Sequence, residues 1–364
     1  MYIFIWSLMA LTASYLVARL LTSIAIFPGQ IFANVQNIHN FKPEQAGLKL
    51  TFAEEKTKDN RVYPTVKITP IESSGIVVIV FNGQNATFRN KKKLNTYCQL
   101  AKDTNNTVIG FDYSGTGLKR ITTWSSKALI DDGFHLALQV IKTMGKNTVL
   151  ILKGNSLGGA ISTKVAKRCH DLGIKAYLWD GRSFKSASSL VAGQIQTLHK
   201  SGHYENALTK KLSTITQPMI SIWLSLTQFE IDVSEDYKRI PSEYKNYYVV
   251  RSKKHAAVPR AQKKDDVMIP HCATLESDSV IKDEVKKIID MGNKDEPRDI
   301  AYYRNRRKVT SKLRENAHSM PETELFCRND VEVTAYDLFR FFSNIYVENH
   351  RLDEMKTNSL KLSI

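Results

Sequence analysis

Cysteine is scarce and scattered in this chain. Four occur in 364 residues, Cys98, Cys169, Cys272 and Cys327, and no two form a CxxC pair. That excludes a disulfide framework, supplies no metal-ligand spacing, and leaves reduced thiols in a cytosol as the expectation. No Gly-x-Gly-x-x-Gly run opens a helix, which argues against a dinucleotide loop. Zinc-finger, RNA-recognition and basic-zipper modules are also missing, as are internal repeats. Acidic residues are few: 36 Asp and Glu face 52 Lys and Arg, for a formal charge of +16. A field of that sign favours anionic partners. Without a nucleic-acid module, the expected partner is an anionic membrane surface rather than nucleic acid.

What is present begins with an apolar N-terminus. Tyr2 to Ala18 carry no charge, Arg19 follows, and Leu20 to Phe27 are again mostly apolar before Pro28-Gly29. A helix over the uncharged stretch spans about 25 Å, and Arg19 can snorkel to headgroups. A membrane anchor is the leading expectation. A helix packed on the domain and a secretory signal are the alternatives, and the signal lacks a basic region before the apolar run. The basic remainder of the chain leans the catalytic domain toward the cytoplasm.

Beyond residue 30 the pattern turns periodic. Leu48–Phe52 and Val62–Ile68 read as opening strands. Ile76–Phe81 (IVVIVF), Thr107–Phe111 (TVIGF), Thr148–Leu152 (TVLIL) and Ala176–Trp179 are apolar runs suited to strands buried on both faces. Helical patterns separate them at Lys91–Lys102, Leu129–Met144 and Leu157–Asp171. Such alternation predicts an α/β fold with a mostly parallel, doubly wound sheet. Residues 186–245 break the rhythm and read as a small helical cap, with a helix over Pro218–Phe229. A strand at Tyr247–Val250 and helices over Cys272–Met291 and Val333–Tyr346 complete the pattern. The expected organisation is an N-terminal hydrophobic helix at 1–29, one α/β domain at 30–350, and a tail at 351–364.

The third buried strand runs directly into Gly154-Asn155-Ser156-Leu157-Gly158-Gly159, and a helix follows at once. This is G-x-S-x-G in the context of strand, sharp turn and helix. The glycines permit a strained serine whose hydroxyl stands at a helix N-terminus, where developing negative charge is favoured. A glycine-rich turn capped by Ser156 is the bland alternative. The expected oxyanion donors are the N–H of Leu157 and that of Gln84, in the Asn82-Gly83-Gln84-Asn85 loop after IVVIVF.

A serine needs a base, and the base needs an orienting acid; in this fold the chain order is Ser, acid, His. His318 lies in a well-placed loop and is the expected base, whereas His350 reads as a surface residue and His271 as structural. Asp266 is the first choice for the acid, with Asp265 and Asp180 as alternatives. Acyl transfer of this kind implies neither a metal nor a cofactor.

The run VLILKGNSLGGAISTKVA resembles the nucleophile elbow of the membrane-anchored α/β-hydrolase-domain serine hydrolases. Asp112-Tyr113-Ser114-Gly115-Thr116-Gly117 is similar to their D-x-x-G-x-G segment, and FNGQNA to their FHGN-type oxyanion loop, with Asn82 in place of the usual His. Asp180-Gly181-Arg182-Ser183-Phe184 resembles their R-S-F segment, Asp266-Val267-Met268-Ile269-Pro270 their D-x-V-I-P acid motif, and Ile26-Phe27-Pro28 the turn that ends their anchor. Bacterial effector hydrolases of the SidB type share the pattern. The resemblance implies an α/β-hydrolase fold and hydrolysis of an ester or thioester, with lipids or acylated proteins as substrates. The basic clusters Arg89–Lys93, Arg251–Lys264 and Arg304–Arg314 suit docking on anionic lipid, or simply form a solvated face. A lipase-like hydrolase is therefore preferred. An acyltransferase or acyl-protein thioesterase with the same triad, and an inactive α/β-hydrolase acting as a binding module, are the competing readings.

Overall fold

A computed structural model of the chain describes residues 2–38, 40–44, 46–117, 125–145, 148–197, 207–252, 269, 273–275, 300–304, 325–328 and 331–346. Its frame is a ten-stranded sheet in the order β1-β2-β4-β3-β5-β6-β7-β8-β9-β10. The strands are β1 Leu48–Lys56, β2 Val62–Pro70, β3 Ile76–Phe81, β4 Thr107–Phe111, β5 Val149–Asn155, β6 Ala176–Gly181, β7 Lys245–Ser252, β8 Ile300–Arg304, β9 Leu325–Arg328 and β10 Val331–Thr334. Strands β4, β3, β5, β6, β7 and β8 run parallel, while β1–β2 and β9–β10 form antiparallel edges. All six residues of β3 and of β6 are buried, as continuous apolar runs require when helices cover both faces.

Three helices supply the crossovers around the central strands: α3 Lys91–Thr104, α4 Ser126–Met144 and α5 Leu157–Asp171. Helix α3 opens on three lysines, which oppose the helix dipole. Asn90 offsets this as N-cap, its side chain accepting from the N–H groups of Lys92 and Lys93. Helix α4 begins at Ser126, a turn earlier than the apolar stripe suggests, because Ser125 caps it. The strand order, the antiparallel β2, and the serine turn after β5 together define the α/β-hydrolase fold.

Residues 186–245, expected to form a helical cap, contain α6 Ala187–Thr197, α7 Ala207–Leu226 and the short α8 Ser234–Arg239. The expected helix start at Pro218 is corrected here: Pro218 lies inside α7. A proline inside a helix forfeits one backbone donor and still sits there when packing carries the helix past it. The helix expected over Val333–Tyr346 also starts later. Its first residues belong to β10, followed by α9 Ala335–Phe341 and a wider π-type turn at Phe342–Tyr346. The β-branched residues Val331 and Val333 alternate as a strand requires. The helix expected over Cys272–Met291 lies almost wholly outside the described residues. Cys98 and Cys169 are free and buried, and burial pushes both thiols up to about 12.

Helix α1, Tyr2–Ile26, has two parts with opposite environments. Leu8, Met9, Leu11, Leu16, Val17 and Leu21 are exposed. Thr22, Ser23 and Phe27 at its end are buried. Phe27 meets the Tyr113 ring edge-on at 5.5 Å. A short helix, α2 Gly29–Phe32, follows the Pro28 turn. The end of α1 is therefore part of the domain core. Phe27→Ala is expected to cost roughly 3–5 kcal/mol by chemical denaturation in detergent. A loss near zero would mean that the helix is detachable.

Candidate active site

The site is built from the turn that follows β5. Ser156 has φ 58° and ψ −126°, a backbone region that L-residues avoid. Three glycines make the turn possible by leaving no room for side chains. A Cβ on Gly154 would sit 2.2 Å from the Gly158 carbonyl oxygen. One on Gly158 would sit 2.2 Å from the Phe81 carbonyl oxygen, and one on Gly159 2.4 Å from Asp180 Oδ1. Neighbouring strands hold the serine in place. The Ser156 N–H donates to the Gly181 carbonyl (2.9 Å), and the Tyr248 hydroxyl donates to Asn155 Oδ1 (3.1 Å). Ser156 remains partly exposed at the N-terminus of α5. The Leu157 N–H, the first of that helix, has no intrahelical acceptor.

The expected oxyanion loop comes against this turn. A Cβ on Gly83 would lie 3.5 Å from the Asn155 carbonyl oxygen and 3.9 Å from Ser156 Cβ. Gln84 follows, and among the described residues no acceptor is bonded to its N–H. A buried polar network supports the loop. Asn82 Nδ2 donates to the Phe111 carbonyl (2.8 Å) and to Asp112 Oδ1 (3.2 Å), and its Oδ1 accepts from the Tyr97 hydroxyl (2.6 Å). Asp112 is fully buried, which pushes its carboxyl up. Arg89, Thr87 and the Phe88 N–H pull it back, at 2.8, 2.7 and 3.0 Å. Arg89, read in the sequence as part of a surface basic cluster, is thus an internal counter-ion, while Lys91 and Lys92 are exposed.

The third wall was not legible from the sequence. The Gln84 side-chain amide donates to the Ala25 and Ile26 carbonyls at the end of α1, at 2.9 and 3.1 Å. The Gly29 N–H donates to the Gln84 carbonyl (3.1 Å), and the Gly117 N–H to the Gly29 carbonyl (3.1 Å). Ile26-Phe27-Pro28 and the D-x-x-G-x-G segment were visible separately; nothing in the sequence indicates that they meet.

Of the acid candidates, Asp180 alone is described. Its carboxyl is fully buried and pushed up to about 7 by that burial, against hydrogen bonds from Ser183 and Thr163. These lie at 2.7 and 2.8 Å, both on Oδ2. Asp180 thus ties β6 to α5 beneath the elbow. Asp265, Asp266, His271, His318 and His350 lie outside the described residues, as do most of the second and third basic clusters. Strand β7 ends at Ser252 and β8 at Arg304, running parallel to β5. The carboxyl ends of β7 and β8 therefore lie at the same end of the sheet as that of β5, which leads into Ser156. Three residues past Asp266, Ile269 is buried in the core, and the Ala273 carbonyl accepts from the Lys185 N–H (2.8 Å).

No protein-family model and no curated protein matches the sequence. Among solved structures, an esterase of Pyrococcus furiosus is similar at a TM-score of 0.47 and 12% identity, over 74% of this chain and 86% of that one. An α/β-hydrolase of Vibrio vulnificus gives 0.44 and 12%, over 64% and 76%. Carboxyl esterase 2 of Tuber melanosporum gives 0.40 and 12%, over 60% and 71%. These likenesses are too remote to bear on activity. The fold assignment stands on the strand order and the serine turn.

Two outcomes are expected. Gly158→Ala forces the turn against the Phe81 carbonyl and costs roughly 3 kcal/mol, with loss of activity on any ester; a folded, active variant would refute the packing described. Asp180 holds its proton more tightly in the folded chain than in the unfolded one. Its contribution to stability is therefore full below pH 4 and is lost as pH rises through about 7. Asp180→Asn should become progressively more stable than wild type across that window, by up to about 4 kcal/mol, and level off above it. Parallel thermal melts at pH 5 and pH 8 check the sign.

Proposed function

We propose that this chain is a serine hydrolase that cleaves a carboxylic ester or thioester through an acyl-enzyme on Ser156. The carrying observation is the strained Ser156 at the head of α5 with the Gly83-Gln84 loop directly against it. In this reading the Ser156 Oγ attacks the substrate carbonyl carbon while His318 takes the hydroxyl proton. The N–H groups of Gln84 and Leu157 bind the oxygen that becomes negative. His318 then returns the proton to the leaving alkoxide or thiolate, and water repeats the sequence to release the acid. Asp266 orients the imidazole. The chain order Ser156, Asp266, His318 after β5, β7 and β8 supports these roles, and the burial of Asp180 under α5 favours Asp266 over it.

The substrate side of the proposal is lipid-like, with the enzyme seated on a membrane. Ile5–Ile26 is long and apolar enough to cross a bilayer, and little of it is covered by the domain. Helix α7 exposes Ile215, Met219, Ile222, Trp223 and Leu226, and carries no charge after Lys211. It meets α1 at its far end. Tyr15 Oη donates to the Leu226 carbonyl (3.0 Å), Trp223 Nε1 to Thr22 Oγ1 (3.2 Å), and Arg19 to Gln228 Oε1 (2.6 Å). Exposed apolar surface on two touching elements marks a lipid-facing side. The net positive charge leans this face toward anionic lipid and the domain toward the cytoplasm. This is the arrangement expected of a chain resembling the membrane-anchored α/β-hydrolase-domain enzymes and the SidB-type effectors. An acyltransferase would use the same acyl-enzyme, so product analysis with an added alcohol acceptor separates the two.

Labelling with a fluorophosphonate probe tests the nucleophile: wild type should react and Ser156→Ala should not. His318→Ala should lower kcat on a short p-nitrophenyl ester at least about 10³-fold. Equal labelling of both proteins, or a fully active His318→Ala, would refute the triad. Resistance of membrane-bound protein to carbonate extraction is expected, and release would rule out a spanning helix.

A further inference from the structure

Hydrogen bonds to the carboxyl end of α1 account for an unusual share of the contacts of the oxyanion loop. The last carbonyls of a helix have no partner within it. Here two of them, on Ala25 and Ile26, are satisfied by one side-chain amide, that of Gln84. The backbone of the same residue is held as well, because its carbonyl accepts from the Gly29 N–H just past the helix. The approach is too close for any side chain on residue 29: a Cβ there would sit 2.7 Å from the Gln84 carbonyl oxygen. A second leg runs through Phe27. It packs against Tyr113, whose hydroxyl donates to the Asn82 carbonyl (3.2 Å), one residue before Gly83. From the opposite side the loop rests on Asp112 and Arg89.

We propose that the end of α1 is the positioning wall of the oxyanion hole, with Gln84 as the positioning residue, so that seating of the apolar helix sets the catalytic rate. This rests on the acyl-enzyme reading above, in which the Gln84 N–H is an oxyanion donor. The side chain and the carbonyl of Gln84 are both fixed to α1, and Gly83 is fixed against the elbow. Between those anchors the Gln84 N–H bonds to no acceptor among the described residues. Oxyanion donors act only over a narrow range of distance, so a loop that drifts by about 1 Å loses rate rather than substrate affinity. The helix that meets the membrane is therefore mechanically continuous with the group that binds the developing charge. A helix displaced from its seat releases both legs together.

The test uses the full chain in detergent micelles and a short, soluble p-nitrophenyl ester. Gln84→Met keeps the length and the backbone N–H and removes the two side-chain donors. Gln84→Glu sets a carboxylate against the two carbonyls. Gly29→Ala displaces the Gln84 carbonyl from the helix side without changing Gln84 itself. All three should lower kcat about 10- to 100-fold with KM unchanged, Gln84→Glu the most. The melting temperature of Gln84→Met should match wild type, since a merely structural contact would move Tm and leave kcat. Arg19→Ala, which removes a bond that seats α1 at Gln228 away from the loop, should lower kcat in the same direction with KM unchanged, but by less than the three loop variants. Full kcat in both Gln84→Met and Gly29→Ala, or a raised KM at constant kcat, would overturn the positioning role. If wild type takes no fluorophosphonate on Ser156, the acyl-enzyme reading falls, and the proposal with it. If wild type labels and both Gln84→Met and Gly29→Ala keep the full rate, only the positioning role falls.

Discussion

The strained backbone of Ser156 is the constraint on which the rest of the structure depends. A residue held at φ 58° and ψ −126° costs free energy, on the order of 1–3 kcal/mol, and persists only where its surroundings over-determine it. Those surroundings reach across the molecule. The carbonyls of Phe81 and Asn82 at the end of β3 press on Gly158. The carboxyl of Asp180 at the end of β6 presses on Gly159, and Tyr248 on β7 holds Asn155. Four parallel strands thus converge on one turn, and the buried runs of β3, β5 and β6 give the rigidity that keeps it bent.

Around that turn the protein buries charge with care for its partners. Asp112 has lost all contact with water, and its position is tolerable because Arg89, Thr87, Asn82 and the Phe88 N–H all donate to it. Asp180 is handled differently. It has two hydroxyl donors and no cation among its described partners, so burial raises it into the neutral range. One carboxyl, that of Asp112, is matched to a cation beneath the Gly83-Gln84 loop. The other, that of Asp180, is held by two hydroxyls alone beneath α5.

The N-terminal helix joins two physical regimes. Its first part presents leucines, methionine and valine that water does not solvate well, and its last turn belongs to the protein core. Helix α7 extends the apolar face, and the hydrogen bonds from Tyr15, Arg19 and Trp223 lock the two together at one depth. The same helix end touches the loop beside Ser156. Gln84 and Gly29 thus join the apolar helix and the Ser156 turn through one contiguous set of contacts.

Much of this was written locally. Continuous apolar runs identified β3 to β6, because a strand covered by helices on both faces favours such a composition. The Gly154–Gly159 spacing identified the elbow, because only glycine survives such close backbone approach. Boundaries were less legible where packing overrides propensity, as at Pro218 inside α7 and at the strand Val331–Thr334 ahead of α9. The roles of Asp112, Arg89, Tyr248 and the end of α1 were not readable at all. Their partners lie far away in sequence, and no local pattern encodes a contact between a helix terminus and a loop some sixty residues on. The sequence by itself determined the sheet, the strained serine turn and the apolar helix, since each follows from short-range periodicity or sterics. Only the tertiary structure decided that Arg89 points inward, that Asp180 is a buried tie, and that the end of α1 meets Gln84. Those outcomes depend on which unsatisfied polar groups meet once the chain has folded.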